Sequence, residues 1–201
     1  AKVQVNNTWE LSSVPFIPVP RNVAEHLARL RARNLSGLML SWSLGGSPSI
    51  NLRVVEKFTG ERVPSVDAAL GEVAEETYGR EAAPGVCEAW RRFSTAFDEF
   101  PFHVGVVYAG PQQLGPANLL YRQKTGYRAT MWGIPYDDLE GWRGPYPPEV
   151  FVAQFEKMAE GWRSGVTELQ ADLPGFGLSS QAGKRLSEIV SKGPGRPGFP
   201  I

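Results

Sequence analysis

The 201-residue chain has one cysteine, Cys87, and two histidines, His26 and His103. A lone cysteine excludes a disulfide within the chain and a Cys-rich zinc site, and two histidines are too few for a histidine metal cluster. Net charge is lacking too. With 21 Lys plus Arg against 21 Asp plus Glu, no global field draws in nucleic acid or an anionic membrane, and neither is expected as a partner. No apolar run reaches the roughly 18 residues that a membrane span needs, and no signal peptide is expected at the start. The compartment stays open, since many secreted bacterial proteins also lack disulfides. The signatures of several enzyme classes are missing as well. Without a G-x-S-x-G elbow, a P-loop or an H-E-x-x-H, serine hydrolase, NTPase and zincin chemistry have no carrier. Lys124-Thr125-Gly126 repeats the K-T-G of penicillin-recognising enzymes without the S-x-x-K that would supply a nucleophile, and reads as coincidence. No metal or other cofactor is expected.

What the chain has in quantity is 22 Gly, 17 Pro and six Trp. Aromatics interleaved with Pro and Gly suggest long ordered loops of the kind that shape a binding cleft. The clearest organisation lies between Lys2 and Gly46. Lys2-Val3-Gln4-Val5 alternates with period two and runs on into Asn6-Asn7-Thr8-Trp9-Glu10. Pro15, Pro18 and Pro20 break the chain before a helix expected over Asn22 to Arg33, with Val23, Leu27 and Leu30 on one face. Asn34 and Gly37 close that helix. Leu38-Met39-Leu40-Ser41-Trp42 is short, apolar and bounded by turn residues, as a buried parallel strand should be. The unit reads as a βαβ crossover. In such folds ligands sit beyond the carboxyl ends of the strands, which here carry Asn6, Asn7, Trp9, Glu10, Trp42 and Ser43. Amides, a carboxylate and flat indoles suit a polyhydroxylated ring, whose hydroxyls take paired hydrogen bonds and whose C–H face packs on aromatics. A Trp capping a strand is equally a core residue, so the argument rests on the coincidence and not on one side chain.

The remainder reads as mainly helical. One or two turns are expected over Arg53 to Phe58. A helix capped by Ser65 carries Val66, Leu70 and Val73 up to a stop at Gly79. Val86, Trp90, Phe93, Phe97 and Phe100 form an apolar face ending at Pro101, with Cys87 beside it as a small buried hydrophobe. His103 to Tyr108 reads as a short strand. Pro148 and Glu149 open another helix, with Phe151, Phe155, Met158 and Trp162 as its stripe and Gly165 as its stop. A short helix is expected from Ser180 to Val190, before a Gly- and Pro-rich tail. The fold class is therefore mixed α/β and predominantly helical: a βαβ segment over 1–58, then a helical region over 59–201 holding a long aromatic loop at 101–148. That loop sets carboxylates beside indoles, in Tyr136-Asp137-Asp138 and Glu140-Gly141-Trp142-Arg143. Asp138 or Glu140 paired with Arg143 would simply pin it. For glycoside hydrolysis two carboxyls must face each other about 5 to 10 Å apart. Glu10 is the best single catalytic candidate, with Asp137, Asp138 or Glu140 as its partner if the loop folds over the strand ends, and Trp142 is a further candidate sugar contact.

Asn-Thr-Trp-Glu at a strand end, a crossover helix, then Gly-Leu-Met-Leu-Ser-Trp and a helical tail together resemble the last two βα units of a (β/α)8 glycosidase, most nearly the bacterial family 20 hexosaminidase-like barrels. The resemblance covers residues 2 to about 52. It implies that Trp9, Glu10 and Trp42 line a sugar pocket, the catalytic acid pair lying on an earlier strand. A closed barrel needs eight strands, so it also implies an upstream domain of the same parent protein as partner, besides an oligosaccharide or glycoside. The alternative expectation is a non-catalytic helical module that docks onto another domain.

Overall fold

The computed structural model describes residues 1–3, 5, 17–33, 35–40, 49–109, 123–130 and 137–172. Of these, 63% are helical and 3% are strand. The order is β1 (Lys2–Val3), α1 (Pro20–Arg31), β2 (Met39–Leu40), α2 (Ile50–Lys57), α3 (Val66–Tyr78), α4 (Ala83–Phe97), α5 (Val104–Ala109), α6 (Leu139–Trp142) and α7 (Pro148–Asp172). The described residues fall into two compact units, and each takes segments from both sides of residue 58. One gathers from Ala1–Ile17, Leu38–Ser49 and Glu99–Lys157, the other from Pro18–Gly37, Ile50–Asp98 and Met158–Ile201.

In the first unit β1 and β2 pair in parallel, Lys2 opposite Met39 and Val3 opposite Leu40. The parallel direction is the one expected of the two segments. Burial is less complete: Val3 and Val5 are covered, whereas Met39 is 67% exposed. The hydrophobic centre of this unit lies elsewhere, where Val106 of α5, Trp142 of α6 and Phe151 of α7 meet, with Phe100, Ala129, Leu139, Tyr146 and Phe155 around them. Phe155 sets its edge against Phe100 at 5.8 Å and lies tilted to Phe151 at 4.9 Å. Residues 104–109 are a helix and not the expected strand. Six apolar or small residues in a row carry no decisive period, and packing of Val106 against Trp142 favours the helix.

The second unit is built of α1 to α4 and the last part of α7. Val23, Ala24 and Leu27 of α1 face inward with Val54 and Val55 of α2, Leu70 and Val73 of α3, and Val86 and Trp90 of α4. Helix α1 starts and ends two residues earlier than expected, at Pro20 and Arg31, while the caps of α3 act as expected. Pro20 stands in the first turn of α1. The Ser65 hydroxyl accepts the Ala68 N–H at 3.2 Å, and Gly79 ends α3 at φ 90°, a left-handed-side conformation that favours glycine. Tyr78 closes the top of α3 by meeting Trp90 edge to face at 6.2 Å. Helix α4 stops at Phe97, a turn before the expected Phe100.

Gly165 does not end its helix, which runs to Asp172. Its role, with Gly161, is to let α7 approach α4. A β-carbon on Gly161 would lie 2.6 Å from that of Ala96, and one on Gly165 would lie 2.8 Å from the Phe93 ring. The close approach brings Trp162 into the α4 stripe, stacked on Phe97 at 6.4 Å and edge-on to Phe93 at 6.5 Å. Its indole N–H donates to the Phe93 carbonyl at 2.9 Å, which satisfies the one polar atom this large ring carries.

Two glycine substitutions separate these roles. Gly161→Ala should lower stability in urea by about 1 kcal/mol or more, since overpacking against Ala96 outweighs the gain of about 1 kcal/mol in helix propensity. Gly71→Ala, in α3 with nothing within 4 Å of the added carbon, should raise it by up to about 1 kcal/mol.

Candidate functional site

The carboxylates expected in the 101–148 loop are held by hydrogen bonds in the first unit. Asp137 Oδ2 accepts the Thr125 N–H at 2.6 Å, and Oδ1 accepts the Thr125 hydroxyl at 3.0 Å. The same hydroxyl oxygen accepts the Tyr127 N–H at 3.1 Å, so Thr125 joins the carboxylate to the next turn of chain. Gly126, between them, has φ 70°, which is why glycine stands there. The Thr125 backbone N–H above all, and its hydroxyl next, hold the Asp137 carboxyl below the usual carboxylate range.

Asp138 is the second clamp. Its Oδ2 accepts the Ala129 N–H at 2.6 Å and its Oδ1 the Gly141 N–H at 3.2 Å, the second bond capping α6 in the ordinary way of aspartate. Gly141 has no room for a side chain, because a β-carbon there would lie 2.2 Å from Asp138 Oδ2 and 3.1 Å from the Ala129 methyl. Glu140 pairs with Arg143 in a short contact, and the Arg143 guanidinium holds the Glu140 carboxyl below its ordinary value. Arg143 Nη1 donates to the Tyr146 carbonyl at 2.6 Å. The pinning of the loop by Glu140 and Arg143 is thus present. Trp142 is buried with Val106 and Phe151.

A general acid must hold a proton near neutral pH, which calls for a carboxyl whose charged form is disfavoured. Asp137 has the opposite surroundings. The donors around it favour the anion and fix its position, the arrangement of a loop clamp. Thr125, Ala129, Gly141 and Tyr146 complete this cluster and were not singled out by the sequence as site residues. For Gly141 a signal was present in the Asp-x-x-Gly turn pattern; for Thr125 there was none.

Asn6, Asn7, Trp9, Glu10, Trp42 and Ser43 lie outside the described residues. Among the described residues no group of three or more His, Cys, Asp or Glu side chains is arranged to hold a metal ion, and no helix is long and apolar enough to cross a membrane. Cys87 is half-buried, and that burial pushes its thiol up from the ordinary value, away from the thiolate that nucleophilic chemistry needs. No protein-family model, curated protein or solved structure matches the chain.

The Asp137 clamp has a pH signature. A carboxyl depressed by folding contributes stability above its unfolded value, about 3.9, and loses that contribution as pH falls through the folded value. Wild-type protein should therefore lose stability on acidification below about pH 4 more steeply than Asp137→Asn, in urea midpoints measured across that range. Equal slopes would mean that the clamp does not form in solution.

Proposed function

We propose that the chain is a segment of a carbohydrate-active protein, forming one wall of a cleft that binds an oligosaccharide or glycoside, within a (β/α)-type glycoside hydrolase framework. The observation that carries this reading is the parallel pairing of β1 with β2. Parallel strands send their following segments out at the same edge of the sheet, and in α/β folds that edge is where ligands bind. The following segments here carry Asn6, Asn7, Trp9 and Glu10 after β1 and Trp42 after β2. Exposure of Met39 supports the same reading, because parallel sheets are ordinarily covered on both faces. A further layer of the parent protein would supply that cover. On this reading Trp9 and Trp42 offer ring faces to the sugar, Asn6, Asn7 and Glu10 bind hydroxyls, and Asp137 and Asp138 hold the loop beside them in shape. The acid pair that acts on the glycosidic bond would come from an earlier strand of the parent protein.

A second reading, a non-catalytic helical docking module, is favoured by one specific observation. Phe102 is 76% exposed, and Val104 and Tyr108, one helical turn apart on α5, are 59% and 39% exposed. Aromatic and aliphatic groups displayed together on the surface commonly mark contact with another protein.

Tryptophan fluorescence titrated with a panel of oligosaccharides, N-acetylglucosamine oligomers included, separates the two. The cleft reading expects saturable quenching that falls at least about tenfold in affinity, a loss of about 1.4 kcal/mol, in Trp9→Ala, Trp42→Ala and Glu10→Gln. A flat response from the folded chain, with binding to a partner domain weakened by Phe102→Ser or Val104→Ser, would replace it with the docking module.

A further inference from the structure

In the second unit the cations of the helices are nearly all taken up in ion pairs, as Arg53 and Lys57 are with Glu76 and Arg92 is with Glu168. Among the described residues of this unit, only Arg33 and Arg62 stand outside any ion pair or side-chain hydrogen bond. The same two places carry exposed aliphatics. Leu35, two residues after Arg33, is 43% exposed, and Val63, next to Arg62, is 44% exposed. The other exposed large hydrophobics among the described residues belong to the first unit. One bond makes the two places a single surface: Arg31 Nη2 donates to the Gly60 carbonyl at 3.0 Å, tying the end of α1 to the link between α2 and α3. Backbone bonds hold both pieces in shape, from the Arg33 N–H to the Leu30 carbonyl at 3.0 Å and from the Thr59 N–H to the Glu56 carbonyl at 3.1 Å. Within residues 29–37 and 58–64 the charged groups are Arg29, Arg31, Arg33 and Arg62 against Glu61. This end of the unit is therefore basic, in a chain without net charge.

The start of α7, in the first unit, has the opposite character. Glu149, Val152 and Glu156 recur at i, i+3 and i+7, which is one stripe of a helix, and all three are exposed. Val150 is exposed beside the stripe, while Phe151 is turned into the core. Among the described residues neither Glu149 nor Glu156 forms an ion pair, although Glu149 lies within the field of Arg143. The neighbouring cation, Lys157, is held by Glu99 at 3.7 Å.

We propose that these two surfaces bind each other between copies of the chain: Arg33 and Arg62 of one copy meet Glu149 and Glu156 of the next, and Leu35 and Val63 pack on Val150 and Val152. Each surface supplies what the other lacks. Guanidinium groups without a partner find carboxylates without one, and the aliphatics of both lose contact with water. Like charges oppose the meeting of two identical surfaces, so the copies join head to tail and not about a two-fold axis. A nucleic acid is the poorer occupant, because the two arginines stand beside Glu61 and binding of that kind needs many phosphates neutralised together.

Sedimentation velocity of the full chain tests the contact. The weight-average mass should rise with concentration between about 10 μM and 1 mM. Raising salt from about 0.05 M to about 0.5 M should weaken the association at least about tenfold, as exposed charges are screened. Arg33→Glu with Arg62→Glu should abolish it, and so should Glu149→Arg with Glu156→Arg. Mixed in equal amounts, the two doubly substituted chains should associate again, since each meets opposite charge on the other. A wild-type chain that stays monomeric, an association that salt leaves unchanged, or a mixture that stays monomeric would overturn the proposal. Should a reversed variant not fold, Arg62→Gln and Glu156→Gln decide: each should weaken the association at least about twofold, and an unchanged association in both would overturn it.

Discussion

The irregular part of the first unit depends on one carboxylate. Asp138 accepts the Ala129 N–H through one oxygen and the Gly141 N–H through the other. The first bond ties a segment nine residues back, and the second starts α6. Without that start Leu139 and Trp142 would not be presented to Val106 and Phe151, and the small core around Phe100 and Phe155 would lack its lid. Asp137 repeats the device one residue earlier, on Thr125. Two neighbouring acids thus convert a stretch with little periodicity into a defined surface. Asp138 draws on backbone N–H groups, whereas Asp137 takes the Thr125 hydroxyl as well as its N–H, so the second clamp depends in part on the side chain it gathers.

The sequence showed the helices well and the contacts between distant segments poorly. Ser65 and Gly79 bounded α3 because capping is a local event, decided within four residues of the helix end. The stripe Val86, Trp90, Phe93 and Phe97 was legible for the same reason, as was the opening of α7 at Pro148. The parallel direction of β1 and β2 followed from the helix placed between them. Residues 104–109 were misread as a strand because a run so short has no period, and tertiary packing settled it. Gly165 looked like a stop because glycine usually is one, and only the position of Phe93 showed that it makes room. The Thr125 to Asp137 and Ala129 to Asp138 bonds join residues twelve and nine apart, with nothing in the pattern to announce them. Of the candidate site residues, Asp137, Asp138 and Trp142 fall in the described region and serve its cohesion. Those at the strand ends lie outside it.

The functional reading therefore rests on direction and chemistry together. A parallel pair sets a common edge, and the residues following it in sequence are amides, indoles and a carboxylate. The exposed face beside α5 is a separate feature. It belongs to α5, whose start is held by the Gly105 N–H bond to His103 and by the approach of Gly144, with Tyr146 bonded to the Phe102 carbonyl just before it. The two features need not compete, since the strand pair and α5 are separate elements of the first unit.

The Ala129 to Asp138 bond has a consequence for how the chain tolerates change. It joins the two ends of residues 130–137, and a closed loop grows at little cost, roughly 0.6 kcal/mol for each doubling of its length. Asp137 closes a second, wider loop of the same kind at Thr125, so the two neighbouring acids share the entropic cost of holding one stretch of chain.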